Sequence, residues 1–178
     1  MVSGPLFPAH SPVGPSCPRL PVAEVARRVG EVPDPELPMI GLGDLGVVES
    51  VAVADDGNLE VAILPTFLGC PALPAITASV LEVLARCGHP EGRVRQVLAP
   101  PWSSDRISER GRAALAAHGI APPAAPDAPE PVRLGLGTPC PHCGSLATRP
   151  HSAFGPARCQ SMLHCAGCQE TFPLMTAM

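Results

Sequence analysis

Cysteine is the residue type most able to do chemistry in this chain, and eight are present: Cys17, Cys70, Cys87, Cys140, Cys143, Cys159, Cys165 and Cys168. Four of them form two C-x-x-C pairs, Cys140-Pro141-His142-Cys143 and Cys165-Ala166-Gly167-Cys168, separated by 21 residues. Pairs at about this separation can set four thiolates tetrahedrally around a metal ion, most often Zn²⁺. The interval lies just beyond the usual range of about 15–20 residues. Four protein thiolates close the coordination shell, which predicts a structural rather than a catalytic metal. Iron in a rubredoxin-like site is the alternative occupant. His142, His151 and His164 could substitute as ligands, but the four cysteines suffice. Cys159 reads first as a core residue, with a spare ligand or a redox handle as alternatives.

Cys70 stands apart from these. It lies near the end of the stretch Leu64-Pro65-Thr66-Phe67-Leu68-Gly69-Cys70-Pro71, after an apolar strand-like run at 59–64 and before a helical pattern that starts near Ala72. Unpaired N–H groups at a helix start carry partial positive charge and favour a thiolate, the form that binds metal or attacks an electrophile. Gly69 frees the backbone for a turn and Pro71 suits a first helical turn. The plain alternative is that Cys70 is a small buried hydrophobe. Asp34 and Glu36 lie in Val32-Pro33-Asp34-Pro35-Glu36-Leu37-Pro38, a segment held extended by its prolines. They are either solvated acids on a rigid loop or the frame of a site near Cys70. Cys87 falls on a helical apolar stripe and reads as packing.

The elements that position these residues follow from periodicity. Val22, Val25, Val29 and Val32 make one apolar helical face after Pro21, ending by Pro33. A strand is expected over 46–53, a tight turn at Asp55-Asp56-Gly57-Asn58, and the return strand over 59–64. The next helix uses Leu73, Ile76, Val80, Val83, Leu84 and Cys87, tolerates Pro74 in its first turn, and stops at Gly88. A third strand is expected over 93–98. Ser103 or Ser104 then caps a last helix with Ile107, Ala114 and Leu115 facing in and Gly119 closing it. The predicted fold class is α+β: a small sheet of about three strands with helices packed on one face, followed by a small zinc ribbon. In the ribbon, short strands are expected at 146–149 and 158–163 around a Phe154-Gly155-Pro156 turn. The expected domains are a disordered Pro-rich leader at 1–20, a first domain at 21–120, a semi-rigid Pro-rich linker at 121–137, and the ribbon at 138–178.

The chain has 178 residues, 25 of them proline, and a net charge of −4. All basic charge comes from arginine, since lysine is absent. This balance argues against nucleic-acid binding by bulk positive charge. No secretory signal or membrane-length apolar run is present, so the chain reads as cytoplasmic, where paired C-x-x-C motifs bind metal more often than they form disulfides. There is no G-x-S-x-G elbow, phosphate-binding loop or dinucleotide fingerprint, so no catalytic residues are assigned.

Several of these motifs together carry a family likeness. Asp34-Pro35-Glu36, Asp44-Leu45-Gly46 and Thr66-x-x-Gly69-Cys70-Pro71 resemble the iron–sulfur assembly domain of SufT-like proteins over residues 21 to about 100. The segment Pro101-Trp102-Ser103-Ser104-Asp105 through Gly119-Ile120-Ala121-Pro122-Pro123 narrows the likeness. With Cys140-Pro141-His142-Cys143-Gly144, Phe154-Gly155, Cys159, Cys165 and Cys168, the chain resembles the PaaD family, small accessory subunits of phenylacetyl-CoA epoxidase systems. Arg106 stands where many relatives carry an aromatic residue. The resemblance implies a part in aerobic phenylacetate breakdown, maturing or assembling a di-iron oxygenase and its flavin and iron–sulfur reductase rather than performing the epoxidation. On this reading Cys70 transiently holds iron or an Fe–S cluster, Asp34 and Glu36 shape the site or offer an oxygen ligand, and Cys140, Cys143, Cys165 and Cys168 hold structural zinc. The ribbon docks to the oxygenase or reductase. One thiolate cannot complete a cluster, so a homodimer or partner ligands would supply the rest. The rival readings are a purely structural subunit of the epoxidase complex and a thiol enzyme using Cys70 as nucleophile. No nucleic-acid or membrane partner is expected.

Overall fold

The computed structural model describes residues 18–123 and 137–176. Most of the expected leader, with His10 and Cys17, and most of the expected linker lie outside the described residues. Helix α1 (Val22–Gly30) buries Val25 and Val29 completely. Its opposite face is tied by Arg27 and Arg28 to Glu24 and by Arg27 to Glu31. Strand β1 (Val48–Val53) and β2 (Leu59–Ile63) form the expected antiparallel hairpin, closed by the turn in which the Asn58 N–H donates to the Asp56 carboxylate. Helix α2 (Leu73–Arg86) turns Ile76, Val80, Val83 and Leu84 into the core. Cys87 is fully buried behind it, as the stripe predicts. The N–H of Gly88 bonds the Ala85 carbonyl and that of His89 the Leu84 carbonyl, which satisfies the helix end.

Strand β3 (Arg93–Gln96) is shorter than expected and pairs parallel to β2, so the sheet order is β1-β2-β3 with α2 as the crossover. Of the three strands, the central β2 is the most buried, while β1 and β3 are largely exposed. On the outer side Glu60 receives both Arg93 and Arg95.

The last helix departs from expectation. Ser104 opens only a 3₁₀ turn (Ser104–Arg106), and Ser103 makes no side-chain cap. Ile107 then adopts an extended conformation that buries its side chain, and helix α3 (Glu109–Ala117) starts after Ser108, whose Oγ accepts the Gly111 N–H at 3.0 Å. Of the three inward residues expected, Ile107 and Leu115 are buried and Ala114 is half-buried. Ser108 wins as cap because Asp44 receives it: Ser108 Oγ donates to Asp44 Oδ1 at 2.6 Å, and the Ser108 N–H to the Asp44 carbonyl at 2.9 Å. The motif Asp44-Leu45-Gly46 is therefore an anchor for the whole segment. The Leu45 carbonyl accepts the buried Trp102 indole N–H, and the Gly46 carbonyl accepts Arg106 Nε at 2.9 Å. Arg106 also pairs with Glu49, which pins β1 to the 3₁₀ turn.

The ribbon holds three strands rather than two: β4 (Thr148–Ser152), β5 (Gln160–Cys165) and β6 (Thr171–Met175), antiparallel in that order. The first two start two residues later than expected. On its free side β6 is paired in parallel by Ala121: the Ala121 N–H bonds the Pro173 carbonyl and the Met175 N–H bonds the Ala121 carbonyl. Ala157, Cys159 and Met175 of the ribbon belong to the same buried cluster as α1, β2 and α2. The ribbon thus sits directly on the first domain.

Candidate metal centres at Cys70 and in the ribbon

In the ribbon, the two knuckles present Cys140 and Cys143 before β4, and Cys165 and Cys168 at and after the end of β5. Their four Sγ atoms lie within 4.8 Å of one another. The Cys140–Cys168 and Cys143–Cys165 separations are both 3.7 Å. A regular tetrahedron with Zn–S bonds of about 2.3 Å has edges of about 3.8 Å, so the donor set fits Zn²⁺ closely. The knuckles are matched in backbone as well. Gly144 and Gln169 each follow the second cysteine of a pair with positive φ, at 73° and 66°. The Gly167 N–H reaches Cys165 Sγ at 3.3 Å. N–H donation from Cys168 and Gly167 holds the Cys165 thiol down to about 6. Cys168 receives the Glu170 N–H, but burial and its three thiol neighbours push it up to about 12. Without a cation the cluster cannot ionise fully, so a metal that binds here must displace protons. His142 is not drawn into the cluster; its ring packs edge-on against Phe172.

Cys70 lies where the sequence places it, between β2 and α2, with Gly69 turning the chain at φ 81°. The N–H groups of Ala72 and Leu73 at the helix start do act to lower its pKa. The expected outcome, a thiol that ionises easily, does not follow. Burial pushes Cys70 up from the ordinary thiol value, and the Glu36 and Asp34 carboxylates push the same way against the two N–H groups. The thiol is half-buried and stays protonated at neutral pH.

The two acids have different circumstances. Asp34 is 6% exposed, and its Oδ1 accepts the Glu36 N–H at 2.8 Å and the Leu37 N–H at 2.9 Å, folding the loop on itself. Burial raises its pKa despite those two bonds. Glu36 is exposed at the loop rim. Both lie within electrostatic reach of Cys70. Beside the turn a cavity of about 370 Å³ is lined by Leu64, Pro65, Phe67, Leu68, Leu98 and Trp102.

One participant is out of reach of local pattern. Cys159, 5% exposed, is brought from the ribbon into the field of Glu36, Asp34 and Cys70. Burial first, then those three groups, push its thiol up to about 12. As first expected, it is a core residue. The only advance signal for its position was its place in the Phe154-Gly155-to-Cys165 stretch.

Residues 23–99 match the family model for iron–sulfur cluster assembly proteins, and residues 125–176 match that for the PaaD zinc beta ribbon domain. An Escherichia coli (strain K12) protein that carries the name of a 1,2-phenylacetyl-CoA epoxidase subunit is 32% identical over 85% of this chain and 90% of its own length. The chain belongs to the PaaD family. The first domain of this PaaD-family chain is also similar to two maturation factors. One, named Fe-S protein maturation auxiliary factor SufT, from Staphylococcus aureus (strain USA300), is 39% identical over 46% of this chain and 93% of its own length. The other, the auxiliary factor YitW of Bacillus subtilis (strain 168), is 34% identical over 48% and 83%. Among the described residues no helix is long and apolar enough to cross a membrane.

Proposed function

We propose that this chain is a non-catalytic accessory subunit of a phenylacetyl-CoA epoxidase system. It binds iron or an Fe–S cluster transiently through Cys70 and passes it to the oxygenase or the reductase, while the four ribbon cysteines hold structural zinc. The observation that carries the reading is the Cys70 site itself. A half-buried thiol at a helix start lies under the opposing influence of two backbone N–H groups and of the Glu36 and Asp34 carboxylates, which are within electrostatic reach. Burial and the carboxylates keep it protonated, which makes it a poor nucleophile and counts against the thiol-enzyme reading. A metal cation reverses that balance, because it displaces the proton and is attracted by the same carboxylates. The likeness of the first domain to named Fe-S maturation factors supports this reading, and the likeness of the full chain to a named epoxidase subunit supports its setting.

The test is metal and sulfide content with a visible spectrum, on anaerobically reconstituted wild type beside Cys70→Ser. Zinc in both, with iron and charge-transfer absorption in wild type alone, is the expected result. Zinc alone in both selects the structural-subunit reading instead.

A further inference from the structure

Phe154-Gly155 is a motif that the metal chemistry leaves unused. It sits in the turn between β4 and β5. Phe154 is 85% exposed, whereas Trp102 and Phe172 are buried and Phe67 is half-buried. The turn that carries the exposed ring is tightly held. Ser152 Oγ accepts the Phe154 N–H at 3.0 Å and donates to the Phe154 carbonyl at 2.9 Å. The Gly155 N–H donates to the carbonyl of buried Gln160 at 2.9 Å. A Cβ on Gly155 would lie 2.8 Å from the Gln160 Cβ, so the turn closes because residue 155 has no side chain. Further along, Ala157 and Cys159 are buried in the cluster of the first domain. One limb of the turn is anchored, and the other holds an aromatic ring in water.

Uncompensated cations lie near that ring. Arg149 is opposite His164 and Ser152 is opposite Met162, two positions apart on β5, so Arg149 and Ser152 share the outer face of the ribbon sheet. About 10 Å of strand separates them. Arg158 is exposed in the turn itself. Neither Arg149 nor Arg158 has an ion-pair partner among the described residues. In the first domain, by contrast, Arg93 and Arg95 meet Glu60, and Arg27 and Arg28 meet Glu24. The one acid between 138 and 178 is Glu170, at the opposite end of the ribbon between β5 and β6.

We propose that the β4–β5 turn is a docking surface for a client protein: Phe154 enters an apolar pocket of the client, and Arg149 and Arg158 meet carboxylates at that pocket's edge. The proposal rests on the accessory-subunit reading given above and adds the surface that holds the client. A rigidly presented ring suits an anchor, because little conformational freedom is lost on binding. The arginines speed encounter and select an acidic partner. Two arginines neutralise few phosphates, and the first domain carries more acids than arginines, which disfavours a nucleic acid. A single ring offers a bilayer far less apolar area than an amphipathic helix does, which disfavours a membrane.

The test is surface plasmon resonance of zinc-loaded full-length protein against the purified oxygenase component and, separately, the purified reductase component of a phenylacetyl-CoA epoxidase system. Wild type is expected to bind one of them. Phe154→Ala should weaken that binding at least about thirtyfold, the effect of losing an interface hot spot. Its zinc content should be unchanged, because the ring lies in solvent. Arg149→Glu should slow association and flatten its dependence on salt. Val53→Ala truncates a side chain that is 59% exposed on the first domain's sheet, and it should change neither affinity nor rate. Cys70→Ser should bind as wild type does, so loss of iron and loss of docking are read separately. Unchanged affinity in Phe154→Ala overturns the proposal and leaves the accessory-subunit reading standing. Wild type that binds neither component overturns both; if it binds phosphatidylglycerol vesicles instead, and Phe154→Ala does not, the ring is a membrane anchor.

Discussion

A cysteine just before a helix start would ordinarily ionise readily, and the residues around Cys70 show why this one does not. The N–H groups of Ala72 and Leu73 act in the expected direction. They are outweighed by burial and by carboxylates that reach Cys70 only through the fold. The local signal was legible in the sequence; its reversal was not, because Asp34 and Glu36 approach from 34 or more positions away. Cys159 gives the larger effect and a testable sign. Its folded-state value of about 12 lies above the ordinary thiol value of 9.0. The folded protein thus holds the proton more tightly than the unfolded chain does. The stability this contributes is fully present below pH 9.0 and is lost as pH rises toward about 12. The whole interval corresponds to about 4 kcal/mol for this buried group. Denaturant unfolding of zinc-loaded protein between roughly pH 8 and 11 should show stability falling steeply, with a flatter fall in Cys159→Ala despite a lower starting value. Parallel curves for the two proteins would contradict the assignment.

At the scale of elements, the sequence was legible where a periodic face meets its own caps. Helices α1 and α2 and the β1–β2 hairpin lie close to where Val25, Val29, Ile76, Val80 and the Asp55–Asn58 turn place them. Helix α3 was misplaced because Ser103, Ser104 and Ser108 give the same local capping signal, and only Asp44, more than 60 positions upstream, distinguishes them. Strand β6 was hidden because Pro173 interrupts its pattern; the strand tolerates it because the Pro173 carbonyl, not a missing N–H, faces Ala121. Gly46 marks the joint between these elements. Its φ is 72°, and a Cβ there would lie 2.5 Å from both the Cβ and the carbonyl oxygen of Arg106. Gly57 has a similar φ of 81° at the hairpin tip with open space around it. Gly57→Ala should therefore cost about 1–2 kcal/mol, the strain of the left-handed backbone alone. Gly46→Ala adds overpacking of about 1–3 kcal/mol. It should also loosen the Arg106–Glu49 pair and expose Trp102. Unfolding free energies and Trp102 fluorescence measure both; equal costs at the two glycines would remove the anchor role of Asp44-Leu45-Gly46.

Across the whole molecule, the ribbon's metal has consequences beyond the ribbon. The ribbon's own core among the described residues is six buried residues, Ala121, Cys140, Leu163, Cys165, Phe172 and Leu174, and two of those are metal-type cysteines. So small a core does not support a fold without a metal or another staple. Ala121 follows directly on the first domain, yet it pairs with β6, and Met175 and Cys159 belong to the ribbon, yet they are buried with α1 and α2. Removing zinc should therefore unfold β4 to β6 and at the same time uncover one side of the first domain. Acid should do the same, because all four thiols must be deprotonated to hold the metal, and affinity falls as pH falls. With a strong chelator, hydrogen exchange should show β5 and the Ala121 amide losing protection together. A thiol reagent should gain access to Cys159 in the same step, while β2 and α2 remain protected. If Ala121 and Cys159 stay protected after the zinc has gone, the ribbon is held by its packing on the first domain, and the metal does not control the position of Cys159. If they open together, occupancy of the zinc site decides whether Cys159 stays buried against the first domain at all.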